Sequence, residues 1–116
     1  MKINNQIKKV FFISIGAIPG VIFRWQLDET FIVNILGCFL IGLFNALYSD
    51  SKYKLIFCIG FCGSLTTFSG WIFYLFILIS DGLYIQALLI IMLMLFMGLC
   101  SVCLGYLLAN KIKSLF

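Results

Sequence analysis

The chain has 116 residues, 64% of them hydrophobic and 10% charged, with a formal net charge of +4 and a mean hydropathy of +1.19. A domain of this size buries only part of its surface, so a water-soluble globule cannot hide that much apolar area. The solvent must be lipid, and no nucleic-acid partner is expected.

Apolar runs long enough to cross a bilayer fall at about 8–25, 30–48, 55–80 and 82–109. The linkers between them are too short for a soluble domain, so residues 1–116 read as a single four-helix transmembrane domain of all-α class. No small-residue cleavage site follows the first run, which argues against a removable signal peptide. That run carries Gly16 and Gly20 in a G-x-x-x-G spacing suited to close helix contact. Pro19 lies between them and removes a backbone donor, which predicts a kink. Arg24 follows at the boundary. It either snorkels to the headgroups or gathers anions at a pore mouth.

In the second run Asn34, Cys38 and Ile41 share one helical face. A carboxamide offers two N–H donors and an acceptor. Inside a bundle it either joins helices or faces a polar path. Asn45 sits nearer the interface and is assigned no site role.

The third run holds the densest polar cluster, Gly60-Phe61-Cys62-Gly63-Ser64-Leu65-Thr66-Thr67-Phe68-Ser69-Gly70-Trp71. Gly63, Ser64, Thr66, Thr67 and Ser69 at mid-depth predict a broken helix. Freed backbone groups in hydrocarbon cost several kcal/mol each, so a break survives only inside protein or beside a cavity. Interrupted helices hold ions in transporters, and small residues also let helices approach closely. An ion site and a packing notch both fit this stretch.

The fourth run has Ser101 as its one hydroxyl away from the ends and reads as packing, as does the run 90–97. Cys100 and Cys103 form a C-x-x-C within a helix. The five cysteines follow no zinc pattern, and apolar surroundings make thiols inert. Asp28, Glu29, Asp50 and Asp81 all fall in loops. A proton-coupled exporter of the small multidrug kind would need an acid within the membrane. Nor is there a nucleophile–base set, so enzymatic chemistry is not expected.

Lys2, Lys8, Lys9, Lys52, Lys54, Lys111 and Lys113 all fall on one side of a four-span topology, and Asp28, Glu29 and Asp81 on the other. The positive-inside rule places both termini in the cytoplasm and gives the chain a single orientation in the inner membrane.

Taken in order, three motifs resemble the Fluc/CrcB family of fluoride channels across most of the chain. They are Gly16-x-x-x-Gly20-x-x-x-Arg24, Val33-Asn34-x-x-Gly37-Cys38-Phe39-x-x-Gly42 and Gly60-Phe61-Cys62-Gly63-x-x-Thr66-Thr67-Phe68-Ser69. The resemblance implies a dimer of antiparallel subunits with the third helix broken and narrow pores at the interface. It implies a structural, untransported Na+ held by the backbone carbonyls of Gly63 and Thr66. It further implies an ion pathway in which Asn34 donates N–H to fluoride and Phe68 offers a ring edge, where the positive part of the quadrupole lies. Arg24 belongs to the same set. The family's second phenylalanine falls at Trp71, a larger ring with its own N–H. Hydroxyl residues expected on the fourth helix are replaced by Met94 and Gly98.

A homodimer of antiparallel subunits needs a chain that inserts both ways, which requires balanced loop charge. The lysine bias therefore favours a heterodimer with a homologous subunit of opposite orientation, a homodimer being the alternative. The rival functions are a non-conducting assembly subunit and, less well matched, a small multidrug exporter.

Overall fold

The computed structural model describes residues 2–116 and is helical almost throughout, with no strand among the described residues. The elements are α1 (Lys2–Leu27), α2 (Thr30–Leu47), α3 (Ser51–Lys54), a π-helical segment (Leu55–Cys62), α4 (Gly63–Leu65), α5 (Phe68–Ser80) and α6 (Tyr84–Leu115). Taking Ser51–Ser80 as one unit, four spans among the described residues are long and apolar enough to cross a membrane. The first helix begins at Lys2 and the last runs to Leu115, so both reach beyond the sequence-derived 8–25 and 82–109. At 1.5 Å per residue they measure roughly 39 and 48 Å, against a hydrocarbon core of about 30 Å.

The turns between spans are short. Asp28 adopts a positive φ of 45° and its N–H closes back on Arg24 O at 3.1 Å, a left-handed cap of a kind that aspartate tolerates. At the other hairpin Gly82 has φ 75°, and Leu83 N–H reaches Leu78 O at 2.9 Å. This is the six-to-one closure of a Schellman cap. Asp50 begins α3 by accepting from Lys52 N–H at 2.9 Å.

Two close contacts set the layout: α1 lies on the π-helical segment and α2 lies on α6. Glycine makes both possible. A Cβ on Gly16 would strike Ile56 O, and one on Gly60 would strike Ile13 O. Likewise Gly42 abuts Val102 O and Gly105 abuts Phe39 O. Backbones that approach this closely gain dispersion and weak hydrogen bonding, which drive helix association in lipid. The G-x-x-x-G of α1 thus has a partner, Gly60, that its spacing did not reveal. Ser64 adds a pin, with Oγ donating to Ala17 O at 3.0 Å and lying 3.1 Å from Phe61 O. Leu65, Val33 and Cys62 are the largest fully buried side chains, at the junction of α2 with the third span.

The third span does break, and more narrowly than the cluster of small residues suggested. Gly63 and Ser64 remain helical within α4, and Ser69 lies in the first turn of α5. Only Thr66 (φ −77°, ψ 152°) and Thr67 (φ −141°, ψ 121°) are extended. Local chemistry explains the position. Thr66 folds its hydroxyl back on Cys62 O at 3.0 Å, ending α4. Thr67 then caps α5 by accepting Gly70 N–H at 3.3 Å, the usual role of threonine ahead of a helix.

Candidate ion pathway at the helix break

The extended pair Thr66–Thr67 presents its backbone sideways, and Asn34 of α2 takes it up. Asn34 Nδ2 donates to Thr67 O at 3.0 Å, and Asn34 Oδ1 accepts Thr67 N–H at 2.8 Å. The carboxamide therefore serves as the helix joint, yet one of its two N–H groups is not used by this pairing. Gly37, one turn on, sits against Thr66 Cγ2, so any side chain there would push α2 off the break.

Asn34 opens onto a groove of about 400 Å³ between α2, the break and α6. Thr66, Thr67, Phe68, Trp71 and Met94 line it as well, and Cys38, Ile41, Gly98 and Val102 continue it along the helices. Its walls are almost entirely apolar, so the carboxamide and the threonines are its polar features. Phe68 is largely exposed and meets Trp71 edge to face, with centroids 5.7 Å apart. The rest of the indole packs on Leu75, Leu78 and Ala87. Trp71 Nε1 is buried and has no hydrogen-bond partner, so in this rotamer the groove meets the ring and not its N–H.

A second hollow of about 430 Å³ adjoins the groove through Thr67, with Arg24, Asp28, Glu29 and Thr30 around it. Arg24 therefore stands at the groove's approach and not in it, in the same hollow as Asp28 and Glu29.

The carbonyls of Gly63 and Thr66 can be tested as cation ligands. In an unbroken helix they would accept from Thr67 N–H and Gly70 N–H. Those amides are taken instead by Asn34 Oδ1 and Thr67 Oγ1. Two hard oxygens lose their helical donors at the break, and a Cβ on Gly63 would meet nothing within 4 Å. An open face with freed carbonyls fits a sodium ion. No cluster of three acid, histidine or cysteine side chains competes for a metal among the described residues.

The structure thus brings Asn34, Thr66, Thr67, Phe68 and Trp71 together and leaves Arg24 one hollow away. Ser64 faces α1, and Ser69 stays local, 3.2 Å from the Thr67 hydroxyl. The direct Asn34–Thr67 pairing is not legible in the sequence, because nothing in either residue's neighbourhood announces a contact 33 positions away.

These features define a small polytopic α-helical membrane protein of the interrupted-helix kind. A family profile described as "CrcB-like protein, Camphor Resistance (CrcB)" matches residues 11–106. "Fluoride-specific ion channel FluC 1" of Prochlorococcus marinus (strain NATL2A) is 48% identical over 104 residues, covering 90% of this chain and 91% of that one. "Fluoride-specific ion channel FluC 2" of Prochlorococcus marinus (strain MIT 9313) is 38% identical, covering 94% of this chain and 88% of the relative. "Fluoride-specific ion channel FluC" of Azobacteroides pseudotrichonymphae is 33% identical, covering 90% and 98%. The chain belongs to the CrcB family.

Proposed function

We propose that this protein is a fluoride-specific ion channel that lets cytoplasmic fluoride leave the cell passively and so relieves its toxicity. The relatives' names support the substrate. The observation that carries the reading to this chain is Asn34, anchored to the break by one N–H and its oxygen while the second N–H remains for an ion in an otherwise apolar groove. A neutral donor suits a small anion that must leave again, since it attracts without trapping.

In this reading Asn34 binds fluoride, Phe68 turns a positive ring edge to it, and Trp71 supplies the second ring. Arg24 raises anion concentration at the approach. Fluoride enters a cell as its neutral weak acid and is held inside as the anion, so an open path suffices for export. The absence of carboxylates from the spans agrees with a mechanism that needs no proton coupling. No enzymatic activity is proposed. The Gly63 and Thr66 carbonyls hold a structural sodium ion that stays in place, joining two subunits of opposite orientation across the break.

The lysine-rich ends face the cytoplasm of an inner-membrane protein. Their bias favours a homologous partner of opposite orientation over a homodimer. Relatives numbered FluC 1 and FluC 2 agree with chains that occur in pairs. The test is fluoride efflux from liposomes, followed by an ion-selective electrode, with this chain alone and with its homologue, in sodium and in a large organic cation. Sodium-dependent efflux without chloride leak is expected for the conducting species. Silence from folded protein in both preparations overturns the channel.

A further inference from the structure

Beyond the groove, α2 carries a second carboxamide that the pathway above does not use. Asn45 lies about three turns from Asn34, which returns it to the same face of the helix and places it roughly 16 Å further along. It is exposed. It lines a separate hollow of about 350 Å³ with Cys103 and Tyr106 of α6. Ile41 and Val102 border both this hollow and the groove, so the two adjoin. Together with the hollow beside Arg24, they run along α2 from the acidic turn at Asp28 to the lysine-rich end.

Close packing fixes this arrangement. Gly42 abuts Val102 O, which holds α6 against α2 and sets Tyr106 beside Asn45. Tyr106 is 50% exposed and Cys103 is exposed as well. The amide N–H groups and the phenolic O–H are neutral donors, as at Asn34. Lys52, Lys54, Lys111 and Lys113 gather at this end of the spans, and fixed positive charge raises local anion concentration.

We infer that Asn45 and Tyr106 form the lysine-side mouth of the ion pathway, a first binding station for the anion before it reaches Asn34. This rests on the proposed function. Through it the anion meets neutral donors at both ends of the apolar stretch between Asn45 and Asn34.

Efflux is measured on the full chain in the pairing that conducts. Asn45→Asp should lower it about tenfold or more, the low end of what fixed charge does to ion entry. On the native chain, a membrane-impermeant methanethiosulfonate bearing a sulfonate should slow efflux several-fold. Its ammonium counterpart of similar size should not, and Cys103→Ser should abolish the difference. Dependence on the sign of the added charge separates an ion path from a merely disturbed helix. The thiol arm uses native protein and decides the matter if Asn45→Asp fails to fold. Native-like efflux from Asn45→Asp overturns the mouth. So does labelling of Cys103 only by a lipid-soluble maleimide, which would show that the hollow opens to hydrocarbon. In either case native efflux leaves the channel itself standing. A native chain silent in every pairing overturns both.

Discussion

Asn34 and Thr67 bind each other twice, with Nδ2 to Thr67 O at 3.0 Å and Thr67 N–H to Oδ1 at 2.8 Å. The side chain stands in for a peptide group, pairing with the break as a neighbouring strand would. The two contacts also fix which end of the carboxamide is which, because the backbone N–H needs an acceptor and the carbonyl a donor. Joint and ion donor are therefore not alternatives at this residue, since one carboxamide serves both.

Asn34→Asp separates these roles. An ionised carboxylate keeps an acceptor for Thr67 N–H but sets a second oxygen against Thr67 O. Leaving a buried polar group unpaired costs about 1–3 kcal/mol, and a charge in the anion path repels the ion. The variant should unfold more readily in a denaturing detergent and lose fluoride efflux. Efflux that survives would assign Asn34 to the joint alone.

Trp71→Phe tests the ring. The native indole holds a buried N–H without a partner, and burying such a donor costs about 1–3 kcal/mol. Removing it offsets the packing lost against Leu75 and Leu78, so stability should change little. Phenylalanine also restores the smaller ring that the resemblance leads one to expect. Fluoride efflux should be kept or raised, measured beside native protein at equal reconstitution. A clear loss would show that the indole turns its N–H to the ion during conduction.

Gly60→Ala and Gly63→Ala should behave oppositely. A methyl at Gly60 meets Ile13 O and Gly16 Cα, which forces α1 from the third span. Overpacking of this kind costs about 1–3 kcal/mol, read as a lower unfolding midpoint. At Gly63 the backbone is helical (φ −64°, ψ −32°) and the space is open, so the protomer should fold normally. If that open face meets a second subunit, Gly63→Ala should weaken association instead, visible as a monomer shift on size-exclusion chromatography in detergent.

How much of this was legible beforehand follows from the range of each interaction. The four spans and the broken third one are local properties of hydropathy and of clustered glycine and threonine, and the chain displays them directly. The break is narrower than the cluster of small residues predicts. Gly63 and Ser64 lower helix propensity without ending the helix, whereas Thr66 and Thr67 end it through their hydroxyls. The π-helical segment left no mark in its composition. Gly60 opposite Gly16, Asn34 opposite Thr67, and Asn45 beside Tyr106 are all tertiary pairings. Helical periodicity can put Asn34 and Asn45 on one face, but it cannot say which partner that face meets.

Thr67→Val probes the freed carbonyls. The native hydroxyl takes Gly70 N–H, and removing a threonine cap costs about 0.5–2 kcal/mol. Valine keeps the shape and leaves that amide to seek another acceptor, with the Thr66 carbonyl its helical partner. As that carbonyl regains a donor it becomes a poorer ligand for a cation. The expected result is efflux that still reaches a plateau at high sodium but needs about tenfold more sodium to do so, equivalent to about 1.4 kcal/mol of lost binding. Titrating sodium against an organic cation at constant ionic strength reads this directly. An unchanged sodium midpoint, in a variant whose α5 has lost its cap, would place the cation elsewhere than at the Thr66 carbonyl.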